Sequence, residues 1–234
     1  MVWWSGPWPR PRSGASHYLE GSRVRAPLDK GATERTRARY DRNARFYDWA
    51  DFVIERLLYA RWRRRLWSRV PPSRGLEVGV GTGKNMPYYP PGSHVTAVDL
   101  SPSMLGHARR KAARLGIEMD LAEMDVEHLE FGDGAFDWAV ATFVFCSAPD
   151  PVQGFRELRR VVKPGGRILL LEHVRIDKPV IGRLMDLYNP LAVRITGANV
   201  NRQTVANVRG AGLGIRSAED LVPLGLFKLI VVEA

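Results

Sequence analysis

The chain has 234 residues, 45% of them apolar, enough for one sizeable core and too many for wholesale disorder. Its single cysteine, Cys146, excludes an internal disulfide framework and a cysteine-based metal cluster. The formal charge of +10 is placed unevenly: residues up to Arg74 hold 17 Lys and Arg against 7 Asp and Glu, and the rest of the chain holds 18 of each. Such a basic N-terminal part either suits an anionic partner (acidic lipid, nucleic acid, an acidic substrate) or is simply a solvated face.

Residues 1–32 mix Pro, Gly, Ser and Arg without a sustained period, and are expected to form a flexible basic tail. Trp3, Trp4 and Trp8 sit among prolines, with no basic stretch leading into an apolar run, so no secretory signal is expected. No stretch reaches the ~20 apolar residues of a membrane span. The expectation is a cytoplasmic chain, in peripheral contact with the inner membrane surface.

Residues 33–72 read as a helical cap. An Arg- and Tyr-rich helix over 33–48 carries Tyr40, Phe46 and Tyr47. A second helix over 49–69 places Trp49, Phe52, Val53, Leu57, Tyr59, Trp62 and Leu66 at spacings of three and four. Arg56, Arg61, Arg63, Arg64 and Arg65 fall largely between them, and Pro71 and Pro72 end the helix. Trp, Tyr and interleaved Arg are also the composition of an interfacial helix. An anionic membrane surface is therefore a candidate partner for 49–69, above all through the Arg-Trp cluster at 61–67. The bland alternative is a cap helix packed on the sheet, favoured for Phe52 and Leu57.

From residue 73 onward short apolar runs alternate with helical stretches. Strands are predicted over 74–80, 94–100, 118–123, 136–145 and 167–173, with helices over 103–115 and 151–162. The region 178–200 is less regular, and 201–211 reads as helical. Strands over 215–221 and 227–233 flank a turn at Pro223–Gly225 and could pair as an antiparallel hairpin at a sheet edge. Strand-helix alternation of this kind argues for an α/β fold: a doubly wound, mostly parallel sheet covered on both faces.

Strand one runs into Glu77-Val78-Gly79-Val80-Gly81-Thr82-Gly83. Glycines let a backbone turn sharply and approach a ligand closely. In open α/β sheets ligands bind beyond the carboxyl ends of the strands. A tight strand-to-helix turn with no ligand remains an alternative. The spacing is G-x-G-x-G, whereas dinucleotide pyrophosphates use G-x-G-x-x-G at a helix N-terminus. Glu77 beside the turn would repel a pyrophosphate and suit a cationic amino acid moiety. Asp99 ends strand two, where it could accept from ribose hydroxyls or cap the next helix. Asp125 follows strand three, as an acceptor for an adenine amine or as a surface turn residue.

Together with Leu158-Arg159-Arg160-Val161-Val162-Lys163-Pro164-Gly165-Gly166-Arg167 before strand five, these segments resemble class I S-adenosylmethionine-dependent methyltransferases over roughly residues 40–234. The resemblance implies a seven-stranded, Rossmann-like sheet whose last strand is antiparallel, and S-adenosylmethionine as the cofactor. It assigns Glu77, Gly79, Gly81 and Gly83 to the methionine part. Asp99 goes to the ribose, Asp125 and Val126 to the adenine, and Thr142 beside the sulfonium, with Leu100 and Met104 also among the cofactor contacts. Tyr40 and Tyr47 match aromatic positions that fold over the cofactor. Two subgroups are similar. Microsomal thiol methyltransferase-like proteins share Tyr89-Pro90-Pro91-Gly92, Phe145-Cys146-Ser147, Glu172-His173-Val174 and Gly197–Arg202. Bacterial phosphatidylethanolamine N-methyltransferases share the glycine turn and a basic amphipathic N-terminal helix.

Methyl transfer from a sulfonium needs positioning and exclusion of water more than a nucleophile, so Cys146 reads as a small buried residue. His173, at the carboxyl end of strand five, is the candidate base, with Tyr47 as a second candidate catalytic group; a hydrogen-bonded strand-end histidine is the alternative. The expected acceptor is a lipid or small molecule, an aminophospholipid first, with a small thiol or a quinone precursor as alternatives. A non-catalytic S-adenosylmethionine-binding protein is a reading from another class. Nucleic acid is disfavoured: Ala141-Thr142-Phe143-Val144-Phe145 lacks the Asn/Asp-Pro-Pro-aromatic motif of adenine amino methylation. No metal site is expected.

Overall fold

The computed structural model describes residues 31, 33–38 and 58–234. Residues 1–30 and 32 of the predicted tail, most of the first cap helix with Tyr40 and Tyr47, and residues 49–57 of the second lie outside the described residues. Seven strands form one sheet in the order β3-β2-β1-β4-β5-β7-β6. They are β1 (Arg74–Val78), β2 (His94–Asp99), β3 (Asp120–Glu123), β4 (Phe136–Thr142), β5 (Val162–His173), β6 (Gly214–Asp220) and β7 (Phe227–Glu233). The pairs β1–β2, β2–β3, β1–β4 and β4–β5 are parallel, and β7 runs antiparallel to both β5 and β6. The edge hairpin and the antiparallel last strand match the sequence reading.

Among the described residues five helices flank the sheet: α1 (Ala60–Trp67), α2 (Pro102–Leu115), α3 (Pro151–Val161), α4 (Pro179–Thr196) and α5 (Thr204–Gly210). A short helical segment over 33–38 precedes them. Local signals set the helix starts. Ser101 accepts from the Met104 N–H at 3.1 Å and Asp150 from the Gln153 N–H at 3.0 Å, each followed by proline at the first helical position.

Strand residues alternate between two cores, as a period of two requires. Ala139, Ala141, Ile168 and Leu170 join Phe155, Leu158 and Val208 on one face. Trp138, Val140, Leu169 and Leu171 join Leu66, Trp67 and Leu105 on the other. A Cβ at Gly75 would stand 2.1 Å from the Trp138 ring, so this glycine leaves the space that the indole fills. Trp138 in turn meets Trp67 edge-on, with centroids 5.6 Å apart.

The described part of the second cap helix corrects one expectation. Trp62, Arg63, Leu66 and Trp67 are all buried, so the tryptophans of the 61–67 cluster are core rather than lipid-facing. Only Arg61, Arg64 and Arg65 point outward, and Arg65 and Arg69 both pair with Glu219 of β6 at 2.8 Å. Two strands also end at least two residues earlier than predicted. β1 stops at Val78 because Gly79 adopts φ +66°, and β4 stops at Thr142 because Phe143 adopts φ +59°. The irregular region 178–200 is for the most part the 18-residue helix α4.

Candidate functional site

A cavity of about 370 Å³ opens at the carboxyl ends of β1, β2, β4 and β5, where the strand order reverses between β1 and β4. That is the switch point at which open α/β sheets hold ligands, and the volume is that of a small-molecule site. The glycine turn forms its floor. Gly79, Gly81 and Gly83 all have positive φ, but they do different work. A Cβ at Gly79 would lie 2.3 Å from Val144 Cγ2, so this glycine lets the turn pack against the loop after β4. At Gly81 a Cβ would meet no atom within 4 Å, which leaves open space beside the cavity. Gly83 is not part of the lining; a Cβ there would stand 2.7 Å from the Met86 sulfur.

Asp99 bridges turn and helix. One carboxylate oxygen accepts from the Gly81 N–H at 2.8 Å and the other from the Ser101 N–H at 2.9 Å. The cap of α2 is Ser101 itself, so Asp99 retains lone pairs for a ligand's hydroxyls. Leu100, Met104, Met124 and Val126 give the cavity an apolar slot between Asp99 and Asp125. Asp125 accepts from the Glu127 N–H at 2.9 Å and from the Thr33 hydroxyl at 3.0 Å. The segment 33–38 is thereby laid along the rim: Thr36 lines the cavity, and Arg37 pairs with Glu123 at 2.8 Å. Acids at two successive strand ends, an apolar slot between them and a glycine floor suit the ribose, adenine and methionine parts of S-adenosylmethionine.

Glu77 departs from its expected place. It is fully buried and does not line the cavity. Its carboxyl accepts from Asn85 Nδ2 at 2.7 Å and is bonded to the Tyr89 hydroxyl. Burial raises its pKa to about 7, against the lowering pull of Tyr89, Asn85 and Arg63. A carboxyl so enclosed is not a counter-charge available to a ligand amine; it fixes the loop that follows the glycine turn.

Above it stands a group that the sequence reading treated only as one helix arginine among several. Arg63 is 5% exposed, and its Nη1 donates to Asn85 Oδ1 at 2.8 Å and to the Thr142 hydroxyl at 3.0 Å. Asn85 also donates to that hydroxyl, at 2.9 Å. Thr142 thus accepts twice, which leaves its own proton to donate, and it lines the cavity. Arg63 and Lys84 are the Lys and Arg side chains of the described lining, and the Arg63 guanidinium also stands over the Phe143 ring, 5.5 Å from its centroid.

The inner end of the cavity is aromatic. Tyr59, Phe143 and Phe227 surround it with ring centroids 5.0 to 6.0 Å apart. His173 also lines this end, its ring edge-on to Phe227 at 5.5 Å. Burial pushes its pKa below the usual histidine value, so the neutral imidazole is favoured. The loop after β4 is held from beneath by Glu172, whose Oε1 accepts from the Val144 N–H at 2.9 Å and the Phe145 N–H at 3.3 Å. These bonds fix Phe143 in its left-handed conformation at the cavity wall. Cys146 is buried, and desolvation pushes its thiol up to about 12, which removes it as a nucleophile near neutrality. Its carbonyl accepts from the Asn199 N–H at 2.8 Å and from Arg202 Nη2 at 3.3 Å, so the Gly197–Arg202 stretch closes the rim.

The family model described as a methyltransferase domain matches residues 76–170. The chain is 32% identical over 184 residues to a demethylmenaquinone methyltransferase of Renibacterium salmoninarum, covering 77% of this chain and 74% of that protein. It is 39% identical over 120 residues to a phosphatidylethanolamine N-methyltransferase of Cereibacter sphaeroides, covering 50% of this chain and 59% of that protein's length. Among solved structures, an S-adenosylmethionine-dependent methyltransferase from Thermotoga maritima superposes with a TM-score of 0.63 at 22% identity, over 84% of this chain and 98% of its own; this likeness concerns the fold.

Proposed function

The chain belongs to the class I S-adenosylmethionine-dependent methyltransferases, and on that premise we propose that its acceptor is an aminophospholipid, methylated on the headgroup nitrogen. The observation that carries this reading is the pairing of an aromatic wall with a neutral histidine at the inner end of the cavity. Rings of Tyr59 and Phe227 favour a cationic or recently cationic amine, while Phe143 already carries the Arg63 guanidinium over its ring at 5.5 Å. No carboxylate of the described lining stands at this end; Asp99 and Asp125 belong to the other. An ammonium must lose a proton before it can attack, and His173 is the lining base able to take it. Similarity to the phosphatidylethanolamine N-methyltransferase supports the same choice.

When bound, S-adenosylmethionine supplies an already activated methyl group. The residues therefore act mainly by placement. Asp99 and Asp125 fix the nucleoside, and the glycine floor admits the methionine part. Thr142, oriented by Arg63 and Asn85, donates its proton toward the reacting end. Phe143 and Phe227 keep water from the line of attack. His173 holds the proton released by the acceptor.

A quinol carbon is the second reading, favoured by the longer match to the demethylmenaquinone methyltransferase and by an aromatic wall that could flank a flat ring. A labelled-methyl screen separates the two. Phosphatidylethanolamine, a demethylmenaquinol, small thiols and RNA would each be offered with labelled donor. Label in the aminophospholipid is the expected result. Label in the quinol alone would transfer the assignment to the second reading, and label in RNA alone would overturn both.

A further inference from the structure

Helix α4 carries the largest exposed apolar surface of the described residues. Val180, Leu184, Leu187, Tyr188, Leu191 and Ile195 are between 51% and 80% exposed. Their spacing of four, three, one, three and four puts all six on one stripe of a helix. The opposite side is the one that packs: Gly182 and Ala192 are buried, and the Met185 sulfur accepts from the Ile176 N–H at 3.4 Å. A contiguous apolar stripe left on a protein's surface marks an interaction site.

Charge says what the stripe meets. Arg183 and Arg194, both exposed, are eleven residues apart, close to three helical turns, and so border the stripe on the same side. Among the described residues neither has a carboxylate partner. Lys178, also exposed, stands at the helix start. The helix's one acid, Asp186, is paired with Arg175 at 2.8 Å, and that pair and Asn201 hold its pKa down to about 2. Apolar side chains edged by unpaired arginines match the boundary between acyl chains and anionic phosphates. Two copies meeting stripe to stripe would instead bring the same arginines toward one another.

The helix is also fixed to the cavity mouth. Gly197 ends it with φ +85°, and the next three residues, Ala198, Asn199 and Val200, line the cavity. Asn189 of α4 donates to Asn199 Oδ1 at 3.1 Å and accepts from the Val200 N–H at 2.9 Å. A surface that seats α4 therefore lies next to the opening.

We infer that α4 docks the protein on an anionic lipid surface, laying its apolar stripe among the acyl chains so that the cavity mouth faces the headgroups. This builds on the lipid-acceptor reading above and identifies the element that reaches the lipid. It moves the membrane contact from the Arg-Trp cluster, whose tryptophans are core, to a helix on the far side of β5 in sequence.

Co-sedimentation of the full chain tests it, with vesicles of phosphatidylcholine alone or of phosphatidylcholine mixed with phosphatidylglycerol. The wild type is expected to sediment with the mixed vesicles, less with the neutral ones, and less as salt rises. Leu184→Glu with Leu187→Glu, at positions 60% and 80% exposed, should lower partitioning by at least about tenfold with little change in Tm. Arg183→Glu with Arg194→Glu should abolish the preference for anionic vesicles. Unchanged sedimentation of the leucine variant would overturn the inference. So would a wild type that ignores both vesicles, or one that forms a dimer in the ultracentrifuge which the leucine variant abolishes while vesicle binding persists. The two proposals fail separately. Stripe-dependent sedimentation without methylation of phosphatidylethanolamine would remove the acceptor reading alone. Methylation by a stripe variant that sediments like wild type would remove the docking helix alone.

Discussion

Burying a carboxyl beside a phenol, as at Glu77 and Tyr89, ties stability to pH. The folded pKa of Glu77 is raised from the usual 4.5 to about 7 by desolvation. Its contribution is therefore fully present below pH 4.5 and is lost as pH rises through about 7, by a span on the order of 3 kcal/mol. Glu172, also raised to about 7 by burial, adds a slope of the same sign. Glu77→Gln keeps an acceptor for Asn85 and gives Tyr89 an amide partner. Its urea midpoint should thus fall less than wild type between about pH 5 and about pH 8; identical slopes would place the burial cost elsewhere. As the proposed base, His173 acts in the other sense, being active when neutral. Rising pH should raise kcat along a limb whose midpoint lies below 6.5, since burial lowers this pKa. His173→Asn should erase that limb and lower kcat by about 100-fold, with affinity for S-adenosylhomocysteine unchanged. An intact limb in the variant would remove the base role.

The glycine turn shows that one motif can hold two kinds of necessity. Gly79→Ala would force a Cβ within 2.3 Å of Val144 at φ +66°, so it should lower Tm and loosen the loop carrying Phe143. Gly81→Ala meets no atom within 4 Å and should cost only about 1–2 kcal/mol of backbone strain, while its methyl weakens donor binding. Calorimetry beside thermal unfolding distinguishes them; equal Tm losses with equal affinities would contradict this division. The turn was legible in the sequence because glycine spacing is a local property, and so were the caps at Ser101 and Asp150. The role of Glu77 was not, because its partners lie 8 and 12 residues onward in a loop without periodicity. Arg63 was hidden for a like reason: it reaches Thr142 across 79 residues. Helix α4 escaped because Gly182 and Pro190 interrupt it and its apolar residues occupy both the packed side and the stripe, which blurs the 3.6-residue contrast.

At the scale of the molecule, the sheet brings chemistry from distant parts of the chain to one edge. Asp99, Asp125, Thr142 and His173 end β2, β4 and β5 or follow β3, and α4 continues from that same edge to the surface. No helix among the described residues is long and apolar enough to cross a membrane. The whole arrangement depends on the strand ends converging on one nucleoside. Asp99 is the sharpest probe, since its carboxylate is bonded to the glycine floor and is the proposed acceptor for the ribose hydroxyls. Isothermal titration of S-adenosylhomocysteine into wild type and Asp99→Ala should show binding that weakens by about 10- to 100-fold in the variant, the worth of hydrogen bonds to a charged group. Wild-type protein that binds a nicotinamide dinucleotide but not S-adenosylhomocysteine would contradict the account.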